Sequence, residues 1–123
     1  MFNLMIDSKT KRDFIFDRSH LGEAVYAPLY RKYDGDYVFS IEEKYVDELR
    51  DNLFLIVLIN DAETVIKRDD GLSFSIDVTD KRREIDYFIE AYNRSNIKNK
   101  ILIKCEDSSI EEINKEIMDF IKE

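Results

Sequence analysis

Two side chains that commonly do chemistry occur once each: His20 is the lone imidazole and Cys105 the lone thiol. A zinc site of ordinary ligand number and a disulfide are therefore both short of residues. A Cys105–His20 dyad is opposed by the pattern around it, because Cys105 falls on the same face of a strand-like run as Ile101 and Ile103, where a thiol serves as small packing material. Ser19 beside His20 is no better placed, since adjacent residues do not face one another as a nucleophile and its base must. Gly22, Gly35 and Gly71 stand far apart, so no glycine-rich loop is available to cradle phosphates. The acidic pairs Asp34 with Asp36, Asp61 with Glu63 and Asp69 with Asp70 offer hard oxygen ligands, but turn and strand-end chemistry accounts for them. The expectation is no catalytic residue, no cofactor and no metal.

What remains is surface chemistry. The chain has 27 acidic and 19 basic residues, a formal charge of -8, placed unevenly. Residues 34–70 hold eleven acidic and four basic side chains, most of the imbalance. Such a balance argues against a sequence-independent grip on nucleic acid or on an anionic membrane and points to a basic partner. Lys81, Arg82 and Arg83 form the main basic concentration, and with Glu84 and Asp86 beside them they read as a solvated helix face. Tyr26, Tyr30, Tyr33, Tyr37 and Tyr45 border the acidic third. Tyrosine joins a large apolar body to a hydroxyl at low entropic cost, so tyrosines beside carboxylates suit recognition of a cationic protein. The candidate partner-binding residues are Tyr30, Tyr33, Asp34, Asp36, Tyr37, Glu43, Asp47 and Asp51, the last three in a row on the outer side of a helix whose inner side carries Ile41, Tyr45 and Leu49. Some of the tyrosines are expected at the core edge.

The elements that would position these groups follow from length and patterning. A chain of 123 residues with three Gly, one Pro and no long apolar span reads as one folded unit over residues 1–123, soluble and cytoplasmic. The run Leu53 to Ile59 has no polar face and predicts a central strand. Asp34-Gly35 and Asp70-Gly71 predict hairpins, the first joining Leu29–Tyr33 to Asp36–Ser40 and the second joining Thr64–Asp69 to Leu72–Val78. Lys100 to Cys105 alternates and predicts a further strand, with a parallel pairing open to it. Three helices are expected: one opened by Ser40 with Glu43, one capped by Thr79 or Asp80, and one opened by Ser108 with Glu111. His20 to Ala27 reads as an irregular approach to the first hairpin because Pro28 follows. The fold class is thus α+β, a mainly antiparallel sheet with a central three-strand meander and three helices packed on it.

In size, acidity, α+β pattern and lack of a catalytic set, the chain resembles the immunity proteins of bacterial polymorphic, contact-dependent toxin systems. That resemblance implies a cognate toxin domain as partner, often a nuclease, which the immunity protein binds and blocks. A phage-encoded inhibitor of a host nucleic-acid enzyme would use its carboxylates in the same way. The alternative from another class is a small enzyme or ligand-binding domain with a site of dispersed carboxylates and tyrosines.

Overall fold

A computed structural model describes residues 15–17, 19–49, 52–67, 77–106 and 108–122. In order they form α1 (Leu21–Tyr26), a π-helical turn (Ala27–Arg31), α2 (Tyr37–Leu49), β1 (Phe54–Ile59), α3 (Ala62–Lys67), α4 (Val78–Arg94), β2 (Asn99–Lys104) and α5 (Ile110–Lys122). The two strands pair in parallel, with Ile56 opposite Ile101 and Leu58 opposite Ile103. The protein is α+β, but the described residues contain neither an antiparallel sheet nor a three-strand meander, and five α-helices replace the expected three.

Each correction has a local cause. The first hairpin is replaced by the π turn and the start of α2. Asp34 Oδ1 accepts the Asp36 N–H at 2.8 Å, a turn that leads into a helix. Gly35 does not adopt the positive φ that a primed hairpin turn needs; the left-handed residue is Lys32, at φ 59°. Gly35 serves close approach instead, because an added Cβ would lie 2.2 Å from the Glu23 carbonyl oxygen of α1. Thr64–Lys67, expected in the first strand of the second hairpin, lie instead in the helix Ala62–Lys67, which Asp61 caps: its carboxylate accepts the Thr64 N–H and hydroxyl, both at 2.8 Å. Asp70-Gly71 and the Leu72–Ile76 part of the second hairpin lie outside the described residues.

The longer helices sit close to their expected places with their caps moved. Asp77, not Thr79 or Asp80, caps α4, its Oδ1 accepting from Thr79 N at 2.8 Å and Asp80 N at 3.2 Å. The capping box of α5 lies one residue later than expected, with Glu112 N donating to Ser109 Oγ and Ser109 N to Glu112 Oε1. Helix α2 begins at Tyr37, so Ser40 lies inside it. His20 to Ala27 is ordered as α1, and Pro28, which has no N–H to donate, sits where the helix widens into the π turn. The turn stops where the Lys32 and Tyr33 N–H groups both reach the Ala27 carbonyl.

Helix α4 organises the rest, touching α1, α3 and both strands. Leu21 and Val25 of α1, Val38 and Phe39 of α2, Leu55 and Val57 of β1, Ala91 of α4 and the loop residues Leu53 and Ile97 make the core. The junction from α4 to β2 is tied by Lys100, whose Nζ donates to the carbonyls of Tyr92 at 2.7 Å, Ser95 at 3.2 Å and Asn93 at 3.4 Å. An ammonium there satisfies the orphan carbonyls at the negative end of α4. Lys81, expected on a solvated face, is instead buried against Glu84 at 3.3 Å. No helix of the described residues is long and apolar enough to cross a membrane.

The two helical-region glycines should respond oppositely to a methyl group. Gly35→Ala drives carbon into the α1 backbone and should lower unfolding free energy by several kcal/mol, on the order of an overpacked core site or more. At Gly22 the new Cβ would lie 3.7 Å from the Tyr26 ring, ordinary contact, so Gly22→Ala should be neutral or stabilising by up to about 1 kcal/mol. Urea denaturation of both variants checks the contrast.

Candidate functional site

Two features could carry chemistry: a buried polar cluster and an open cleft. The cluster forms around Glu42, the largest side chain with no solvent exposure among the described residues. Its Oε2 accepts from Ser95 Oγ at 2.7 Å and from His20 Nε2 at 2.6 Å, and its Oε1 from the Asn96 backbone N–H at 2.8 Å. Asn96 Nδ2 adds a bond to the Phe39 carbonyl at 3.1 Å. Histidine and serine thus both donate to one carboxylate. In a nucleophilic triad the histidine stands between acid and hydroxyl, taking the hydroxyl's proton; here the Ser95 hydroxyl donates a hydrogen bond directly to the carboxylate and is itself buried. The arrangement is a structural tie joining the entrance to α1, the body of α2 and the exit of α4.

Burial alone would raise the Glu42 carboxyl pKa, but the bonds from His20, the Asn96 amide and Ser95 outweigh it and hold it below the usual value. Glu42 was not singled out by sequence reasoning. The acid occupies what helical spacing makes a core position of α2, between Val38, Phe39 and Val46, so it disguises the period.

The cleft encloses about 580 Å³ and is lined by Ala24 and Pro28, by Lys32, Tyr33, Asp34 and Asp36, by Phe39, and by Tyr87, Glu90, Ala91 and Arg94 of α4. Arg94 closes one side with a two-point ion pair: Nη1 to Asp36 Oδ1 and Nη2 to Asp36 Oδ2, each 2.9 Å, with its guanidinium 4.5 Å above the Phe39 ring. This pairing, chiefly the hydrogen bond from Arg94, holds the Asp36 carboxyl below its ordinary range. At the lip, the Tyr33 hydroxyl donates to Glu23 Oε1, and Arg31 Nη1 approaches the same oxygen at 3.3 Å. The Tyr33 bond is the main reason the Glu23 carboxyl pKa is lowered, and Tyr37 contributes a bond as well.

The expected partner-binding residues are therefore divided. Tyr33, Asp34 and Asp36 come together in the cleft, and Tyr37 stands beside them at Glu23. Glu43 and Asp47 are exposed on α2, as the helical wheel required. Tyr30 instead points its hydroxyl at the buried Glu84, 3.0 Å away, and burial first, then that bond, raises its pKa. Asp51 lies outside the described residues. Sequence reasoning missed Glu23, Glu90 and Arg94, although the four-residue spacing of Glu90 and Arg94 on one helix face was a usable signal.

Among the described residues no group of three or more histidine, cysteine or acidic side chains could hold a metal ion. Asp34 and Asp61 spend carboxylate oxygens on nearby backbone amides, as their turn roles require. Compared with protein-family models, curated proteins and solved structures, the chain matches none.

The Glu42 tie predicts a pH signature. A carboxyl whose folded pKa is depressed contributes stability fully above its unfolded value, and loses it as pH falls through the folded value. Glu42→Gln should cost about 3 kcal/mol at neutral pH by leaving donors facing an amide, and the variant's stability should fall less steeply on acidification than the parent's. Unfolding curves collected between neutral and acidic pH read both effects; equal acid slopes would remove Glu42 from the explanation.

Proposed function

We propose that the protein binds a basic protein partner through the face formed by the cleft, its tyrosine lip and the outer side of α2, and that it acts as an immunity protein that blocks a cognate nuclease-type toxin domain. The observation that carries this reading is the pair Tyr33 and Tyr37, 46% and 50% exposed, standing together at Glu23 beside Asp34 and Asp36. Large rings kept half in water on a folded surface are the side chains most often used as contact anchors. Their hydroxyls act on Glu23, which limits the entropy that binding would have to remove.

The surrounding charges support encounter rather than grip. Exposed Glu43 and Asp47 make no ion pair among the described residues, and the chain as a whole carries -8. Such a field draws a cationic surface inward, while desolvated aromatic contacts slow its departure. The Asp36–Arg94 pair is largely neutral and serves to shape the cleft. A rival reading, a small ligand-binding domain, is favoured by the cleft volume alone.

The reading predicts a 1:1 complex with a basic protein, recovered from the source cell and followed by size exclusion and stopped-flow association. Raising salt from about 0.05 to 0.5 M should slow association by tenfold or more. Glu43→Lys with Asp47→Lys should slow it at low salt, whereas Tyr33→Ala with Tyr37→Ala should speed dissociation. A complex indifferent to all four substitutions places the interface elsewhere, and a small molecule retained in the cleft in place of a protein favours the rival.

A further inference from the structure

The cleft already holds one guanidinium, and how it does so indicates what else it would accept. Arg94 is gripped edge-on by both oxygens of Asp36, with its guanidinium carbon 4.5 Å over the centre of the Phe39 ring. A forked carboxylate contact combined with an aromatic face matches a planar guanidinium far better than a compact ammonium. Beside it, Asp34 and Glu90 are near enough to act electrostatically on Arg94, yet each is exposed and Glu90 makes no hydrogen bond or ion pair among the described residues. The ionisable cleft side chains, leaving the phenols aside, are Asp34, Asp36 and Glu90 against Lys32 and Arg94, which leaves one negative charge. One further cation neutralises the cleft, and an anionic ligand would meet an excess of carboxylate.

We propose that the cleft is a receptor for one arginine side chain of the basic partner, taken by Glu90 and Asp34 beside Arg94, with the rings of Tyr33 and Tyr87 as its walls. This rests on the reading that the protein binds a basic protein, and it names the contact that reading lacks. The volume, about 580 Å³, accommodates an arginine head group together with ordered water.

The test uses the full chain and Nα-acetyl-arginine amide as the probe, with Nα-acetyl-lysine amide as its comparison, followed by NMR at the Tyr33 and Tyr87 rings. The arginine probe should shift both rings in a saturable way and bind at least about threefold more tightly than the lysine probe. Glu90→Gln should weaken the arginine probe about threefold, and Arg94→Met, which frees Asp36, should tighten it by a similar factor. Circular dichroism of each variant confirms the fold. Absence of shifts at the two rings, equal binding of both probes, or an affinity unchanged by Glu90→Gln overturns the assignment. Because the probe needs no partner, a chain that captures a basic protein but fails here loses only the cleft receptor. A chain that takes the probe but no protein loses the partner on which the proposal rests.

Discussion

A carboxylate without solvent has to be met by donors on every side, and Glu42 imposes that requirement on this fold. Removing an ionised acid from water costs several kcal/mol unless hydrogen bonds replace the lost hydration. Here the donors come from outside its own helix: His20 just before α1, and Ser95 and Asn96 just after α4. None of the three elements can shift without exposing or orphaning the charge. The cleft draws on the same three elements and on the turn and loop between the first two, with Ala24 from α1, Phe39 from α2, Tyr33, Asp34 and Asp36 from the loop before α2, and Tyr87, Glu90 and Arg94 from α4. A polar tie in the interior thereby fixes the geometry of a surface some way from it.

The surface shows the complementary principle. Gly35 lets the loop lie against the α1 backbone at Glu23, which brings Tyr33, Asp34 and Asp36 over the end of α4. Lys100 gathers the last carbonyls of α4 and holds the exit to β2, so that Ser95 and Asn96 face Glu42. The first is a steric allowance that lets two backbones meet; the second is a polar contact that closes a helix end whose carbonyls would otherwise go unsatisfied. Burial of apolar groups supplies the bulk of the driving force, and these contacts select the arrangement.

How much of this was legible in the sequence follows from what kind of signal each element carries. The unbroken apolar run at Leu53–Ile59 and the alternation at Lys100–Cys105 announced both strands, since an apolar pattern is a property of adjacent residues. Their parallel pairing was visible only as an open option. Asp34-Gly35 misled because the same dipeptide serves two physical ends, positive φ or close packing, and only tertiary structure chooses between them. The start of α2 is hidden because Tyr37 and Phe39, two residues apart, fit one face of a strand, while the core positions of the helix include the acid Glu42. Of the residues that line the cleft, Tyr33, Asp34 and Asp36 are ones that type and position single out, but Arg94 lies 58 residues from Asp36 and nothing local links them. The resemblance to immunity proteins rested on size and acidity and carried no residue-level information.

An ionised, fully hydrogen-bonded Glu42 is the junction of α1, α2 and α4. Its side-chain carboxyl carbon, followed by NMR from neutral pH into acid, tests this most directly. The expected midpoint lies below that of an exposed glutamate and arrives together with broadening of the His20, Ser95 and Asn96 signals as the tie is lost. A midpoint at or above the ordinary glutamate value, with those three signals unmoved, would contradict it.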